Sequence, residues 1–170
     1  KNTFNKIKKK INKASPEVLE VLEKEIIFLS QKWPNFLPKG IIHADLFPDN
    51  IFFLDSKISG ILDFYFSCYD QLIYDVAITC NAWCFKNGKF QKSFFKNLIA
   101  GYENFRIINL KEKKNMNIIM RGAAIRFLIT RLHDQIYAKG NSSFKKKNPM
   151  EFFNILKFHI NSYEGFDYFK

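Results

Sequence analysis

Apolar residues near the start of the chain recur at helical spacing. Val18, Leu19, Leu22, Ile26, Leu29 and Trp33 fall on one face, so residues 16–33 predict an amphipathic helix. Ser15 and Pro16 supply its N-cap and first position, and Pro34 and Pro38 end it. The period then changes. Gly40 to His43 reads as a short strand. Ile51 to Leu54 and Ile58 to Asp63 are β-rich runs joined by Asp55-Ser56-Lys57, which predicts a hairpin. Helical spacing returns over residues 71–86 and over residues 90–105, where Phe94, Phe95, Leu98, Ile99 and Tyr102 recur. A long helix is expected from about Leu110 to Ala138, with Gly140 as its stop. Asn148-Pro149-Met150-Glu151 starts a last helix, with an N-cap, a proline at the first position and an acid at the third. Residues 1–14 are polar and basic and read as a linker or helix tail. No internal repeat is present. A helix, a small hairpin and a helical bundle make an α+β, mainly helical fold.

Composition narrows the classes. A chain of 170 residues, 47% apolar, can bury one real core. A formal charge of +11 would suit nucleic acid or an anionic membrane. However, Lys greatly outnumbers Arg, and Asn, Ile and Phe are frequent, as an AT-rich genome would give. The Lys clusters (Lys6 to Lys10, Lys111 to Lys114, Lys145 to Lys147) lie at segment ends without the interleaved aromatics of a single-strand groove. We therefore expect no nucleic-acid and no membrane partner. Cys80 and Cys84, spaced i,i+4, have poor disulfide geometry, and no Cys or His pair completes a zinc site. With Cys68 they read as small buried apolar residues in a reducing compartment. No apolar run is long enough to span a membrane and no signal peptide is seen, so a cytoplasmic location is expected.

The chemistry is concentrated between Gly40 and Asp75. His43-Ala44-Asp45-Leu46-Phe47-Pro48-Asp49-Asn50 has the H-x-D-x-x-x-x-N spacing of a kinase catalytic loop. Asp63, in Asp63-Phe64-Tyr65 at the end of the second hairpin strand, lies where a kinase carries its metal-binding D-F-G aspartate. Phosphoryl transfer needs a positioned hydroxyl, metal ions on the phosphate oxygens and neutralised charge. A carboxylate in a loop after a strand can reach the hydroxyl. An amide and a second carboxylate at the two ends of a hairpin can share one magnesium ion, which prefers such hard oxygen donors. Singly, each residue has a bland role: a turn, a strand cap, a strand end. Spacing, β context and residue type together favour a kinase.

Three runs carry a closer likeness: Gly40 to Leu54, Ser59 to Cys68, and Tyr74 to Phe85. With Arg121-Gly-Ala-Ala-Ile-Arg-Phe-Leu-Ile-Thr-Arg-Leu, they resemble the homoserine kinases of the aminoglycoside phosphotransferase-like type. The resemblance covers most of residues 15–160. It implies the C-terminal catalytic lobe of the protein-kinase-like fold over residues 15–170, with residues 1–14 as a linker remnant. It also implies ATP and Mg2+ as cofactors and phosphorylation of L-homoserine to O-phospho-L-homoserine in threonine biosynthesis. Carried over, Asp45 is the catalytic base or the carboxylate that orients the hydroxyl, and His43 holds the loop by hydrogen bonding. Asn50 and Asp63 are the magnesium ligands and so the cofactor-binding pair. Asp75 resembles the family's buried aspartate that braces the loop, with a helix cap as its alternative role. Position 44 is Ala where protein kinases have Arg, so no phosphorylated activation-loop switch is expected.

The acceptor residues are less defined. An Arg fork is the best receptor for an amino acid's carboxylate. Arg126 and Arg131 lie in an apolar helix where an unpaired cation is costly, and Arg121 is a weaker candidate. A salt bridge to a structural acid such as Asp75, or snorkelling, would explain them equally. Tyr65, Asn81 and Trp83 suit a pocket wall or the core. The pattern of a complete kinase includes an N-terminal lobe with a glycine-rich phosphate loop, a strand lysine and its glutamate, none of which is found. The expectation is a chain that begins at the interlobe linker, lacks the ATP-binding lobe and is inactive alone. Two rivals remain open. One is a kinase for choline or an aminoglycoside, whose cations suit acidic pockets. The other is a non-catalytic remnant acting as a binding module.

Overall fold

The computed structural model describes residues 2–137, 147–162 and 165–169. Its axis is the 28-residue helix α5 (Leu110–Tyr137), in which Met116, Ile119, Met120, Ala123, Ala124 and Leu128 are fully buried. The earlier helices are α1 (Asn2–Ala14), α2 (Pro16–Lys32), α3 (Leu72–Trp83) and α4 (Lys92–Glu103). The last is α6 (Pro149–Asn161). α1, α2, α3, α6 and a final 3-10 turn (Gly165–Phe169) all pack on α5. The Asn148 side chain accepts from the Met150 N–H at 2.9 Å, as its N-cap sequence predicts. The expected stop at Gly140 lies outside the described residues.

The stretch read as a basic linker or helix tail is a packed helix. Phe4, Ile7 and Ile11 are buried along one side of α1, against α2 and α5. Lysines outnumber these apolar residues and mask a helical period that spans barely three turns. At the other end of α2, Trp33 packs so closely on Gly122 of α5 that any Cβ there would overlap its ring. Arg126 follows Gly122 by one turn and thereby faces the loop described below.

Among the described residues, three two-stranded antiparallel sheets complete the fold. β1 (Lys39–Ile42) pairs with β4 (Cys68–Gln71), which the sequence does not predict. β2 (Ile51–Leu54) and β3 (Lys57–Ile61) form the expected hairpin, turning on Asp55 and Ser56, both with positive φ. β5 (Phe85–Lys86) and β6 (Lys89–Phe90) form a small hairpin over Asn87-Gly88. The helix expected over residues 71–86 therefore starts one residue late and ends at Trp83. Asn-Gly is a strong hairpin signal, and here it overrides the helical period. The cysteine reading also needs correction. Cys80 and Cys84 are buried, but Cys68 is exposed, because it starts β4 at the surface of a two-stranded sheet. Burial pushes the Cys80 thiol well up, so it stays protonated.

A polar network is sealed between α3, α5 and α6. The Asn81 amide N–H donates to the Met120 carbonyl at 3.0 Å, leaving its Oδ1 to accept from His159 Nε2 at 2.8 Å. His159 Nδ1 then accepts from the Tyr168 hydroxyl at 2.6 Å, which fixes the neutral tautomer. Burial, and next the nearby Arg121, hold the His159 pKa down to about 3. The unfolded imidazole takes its proton near 6.5. Between these values the unfolded chain binds the extra proton, so stability is full above about 6.5 and falls as pH drops towards 3. The loss should reach on the order of 4 kcal/mol at the bottom of that window. Urea unfolding followed from pH 7 to pH 4 measures it, and a flat profile would contradict the neutral buried imidazole.

Candidate active site

β1 delivers the chain into the loop 43–50 beside the N-terminal end of α3. Asp75 stands in the first turn of that helix. Its Oδ2 accepts the His43 N–H at 3.0 Å, and its Oδ1 accepts the Ala44 N–H at 2.8 Å. Ala44 has φ 63, a left-handed conformation unusual for alanine. The two charge-assisted bonds hold it there. The Ala44 carbonyl in turn accepts from Arg126 Nη1 at 2.6 Å. The indole N–H of Trp83 donates to the Leu46 carbonyl at 2.9 Å. Helices α3 and α5 therefore grip three consecutive parts of the loop.

His43 links that loop to the far end of the hairpin. Its Nδ1 accepts from the Asp45 N–H at 3.3 Å, which leaves Nε2 protonated to donate to the Leu62 carbonyl at 2.9 Å. The Leu62 N–H donates to the Asn50 carbonyl at 2.9 Å. Asp63 follows at φ 60, a second left-handed residue, and opens the 3-10 turn Phe64–Phe66. Asn50 donates its amide hydrogens to the Asp45 carbonyl at 2.8 Å and to Asp45 Oδ2 at 3.2 Å. Its Oδ1 is thus the atom left for another partner. Asp63 directly follows Leu62, whose N–H is held by Asn50, and Asn50 bonds Asp45, so the three residues gather at one corner of the fold.

Partial burial raises the Asp45 pKa above its ordinary value. Asp63 adds to the rise, while Arg126, the Asn50 hydrogen bond and Lys147 oppose it. Among the described residues, no three His, Cys, Asp or Glu side chains gather as a metal cluster. Asn50 Oδ1 and the Asp63 carboxylate supply two hard oxygens. Two such donors would suit a magnesium ion, which prefers hard oxygen ligands.

The three arginines of α5 have separate surroundings. Arg121 forms a buried two-armed pair with Glu25, at 2.5 and 2.7 Å, and lies 3.9 Å over the Phe28 ring. Arg126 lies on the loop between Phe66 and Phe127, at 5.3 and 4.8 Å. Arg131 donates from Nη1 to the Asn148 carbonyl and to Glu151, at 3.0 and 2.6 Å. Asn81 belongs to the buried network and not to a pocket wall. Tyr65 is 87% exposed, with its ring perpendicular to that of Phe66 at 5.2 Å. Tyr74, to which the sequence reading gives no role, is half-buried against Trp33, with the ring centroids 5.8 Å apart. Its only sequence signal is a place next to Asp75.

Apolar side chains crowd the strands around this corner. Ile41, Phe52, Phe53, Leu54, Ile58, Phe64 and Tyr69 are all exposed. No described helix is long and apolar enough to cross a membrane.

Residues 6–109 match the family described as "Phosphotransferase enzyme family". The chain is 44% identical over 145 residues to a homoserine kinase of Brucella anthropi, covering 85% of this chain and 44% of that protein. It is 43% identical over 141 residues to one from Sinorhizobium fredii, covering 82% and 43%. It is 45% identical over 146 residues to one from Xanthobacter autotrophicus, covering 85% and 46%. The chain therefore spans under half the length of these curated relatives.

Proposed function

This chain belongs to the phosphotransferase enzyme family, and on that premise we propose that it is the acceptor-side, C-terminal lobe of a homoserine kinase. The kinase moves the γ-phosphoryl group of MgATP to the hydroxyl of L-homoserine, as a cytoplasmic step of threonine biosynthesis. The carrying observation is the half-buried Asp45 carboxylate, held beside Asn50 and Asp63 by the braces from Asp75, His43 and Arg126. The homoserine kinases it resembles support the choice of acceptor.

In this reading Asp45 orients the homoserine hydroxyl and takes its proton as the oxygen bonds to the γ-phosphorus and the bond to ADP breaks. Asn50 and Asp63 would hold magnesium, which neutralises charge on the phosphate oxygens. Asp75 and His43 fix the loop before substrate arrives, so no ordering cost falls on the chemical step. A second lobe for the ATP phosphates works beside residues 15–170, and the exposed apolar strands are the surface it would cover.

The test is ADP formation by the two-lobe kinase offered L-homoserine, choline or an aminoglycoside. Homoserine should support turnover at the lowest concentration. Turnover with choline or the aminoglycoside and none with homoserine would refute the assignment.

A further inference from the structure

We propose that the amino-acid end of the acceptor binds in the cleft between the catalytic loop and the start of α6, with Arg131 and Lys147 on its carboxylate and Glu151 and Asp49 on its ammonium. The proposal rests on the kinase reading above and deepens it. The cleft encloses about 540 Å³, with Phe47 and Ala82 among its walls. Phe47, Pro48 and Asp49 of the catalytic loop line it, and the Phe47 N–H donates to the Asp45 carbonyl at 2.8 Å, so the cleft adjoins the loop that carries the hydroxyl-orienting carboxylate.

The charges decide what fits. Arg131 pairs with Glu151 at 2.6 Å and Lys147 with Asp49 at 2.5 Å. The four groups sum to zero across one small cleft. A lone cation such as choline, or a polycationic aminoglycoside, meets as much repulsion as attraction there. A zwitterion finds a partner for each end, and the apolar Phe47 and Ala82 suit a short methylene stem.

The four side chains are not equivalent. Arg131 has only 9% of its side chain exposed, and its guanidinium lies 4.4 Å over the Phe152 ring. Among the described residues, both of its hydrogen bonds leave from Nη1. Its other edge is a fixed fork of N–H donors, the geometry that suits a carboxylate. Glu151 and Asp49 are 60% and 65% exposed. The Lys147–Asp49 pair, exposed on both sides, exchanges partners at little cost, and the Glu151 carboxylate is free to turn from Arg131 towards solvent or a ligand. Arg126, on the other side of the loop, is a positioning residue because it is engaged with the Ala44 carbonyl.

Calorimetric titration of the chain with L-homoserine and with choline tests the cleft. Homoserine should bind and choline should not. Lys147→Met and Glu151→Gln change exposed side chains and should leave the circular dichroism spectrum intact. Each should weaken homoserine binding roughly tenfold or more, the loss expected of one charge-assisted contact. Unchanged affinity in both folded variants, equal binding of choline, or no homoserine binding would overturn the proposal. So would loss of binding in Arg126→Ala alone. Transfer to homoserine that persists undiminished in Lys147→Met and Glu151→Gln would overturn the cleft and leave the kinase standing. Homoserine bound in the cleft with no transfer by the two-lobe enzyme would do the reverse.

Discussion

Asp45→Asn should lower phosphoryl transfer by roughly two to four orders of magnitude, the usual weight of a general base. The replacement keeps the loop, because an asparagine oxygen at position 45 can still accept the Asn50 amide that Asp45 Oδ2 accepts now. It removes the group that takes the proton, so the loss should fall on kcat more than on KM. The pH profile separates this from mere damage. Burial, reinforced by Asp63, disfavours the charged carboxylate, so the wild-type rate should rise with pH through a value raised from that of an ordinary aspartate. Asp45→Asn should lack that limb. Stability should move the other way. With the folded pKa raised, the favourable contribution exists at acid pH and is lost as pH rises through that value. At neutral pH the ionised Asp45 therefore costs stability, and Asp45→Asn should unfold at an equal or higher urea concentration. An active site that gains stability as it loses function is a familiar trade. Full activity in Asp45→Asn would overturn the mechanism.

Asp63→Asn should be nearly as severe, by a different route. Asp63 sits at φ 60, where asparagine is among the few side chains tolerated, so the turn into Phe64–Phe66 should survive. What weakens is a metal ligand. Activity should fall on the order of 100-fold or more, because the metal supplies several kcal/mol of charge stabilisation. It should recover in part at high magnesium, which Asp45→Asn should not. Removing the Asp63 charge also removes one of the influences that raise the Asp45 pKa. The acid limb of Asp63→Asn should thus shift to lower pH. A magnesium dependence identical to wild type would remove Asp63 from the metal site.

The loop was legible because its chemistry is local in sequence. Position 43 to position 50 is one turn of chain, and the hairpin that returns Asp63 announces itself by β-rich runs around Asp55-Ser56. The N-cap and proline of α6 were legible for the same reason. Elements that need a distant partner were not. Among the described residues, β4 is four residues whose one strand partner is β1, almost thirty residues upstream. Helix α1 is visible as a helix only once Phe4, Ile7 and Ile11 find α2 and α5. The arginines show the limit most clearly. Arg121, Arg126 and Arg131 are spaced by five, and five residues turn about 140° around a helix. Three similar side chains therefore leave α5 towards α2, the catalytic loop and α6. Apolar context in the sequence signals that each needs a partner, but direction comes only from the packing of the whole bundle.

The central claim is that the corner of Asp45, Asn50 and Asp63 carries the transfer, and one structure tests it directly. The two-lobe kinase should be crystallised with magnesium, an unreactive ATP analogue and L-homoserine. The account predicts the homoserine hydroxyl about 2.6–3.2 Å from the Asp45 carboxylate, with Asn50 Oδ1 and Asp63 as magnesium ligands at about 2.0–2.1 Å. A hydroxyl held by another base, or a magnesium ion bound away from Asn50 and Asp63, would contradict it.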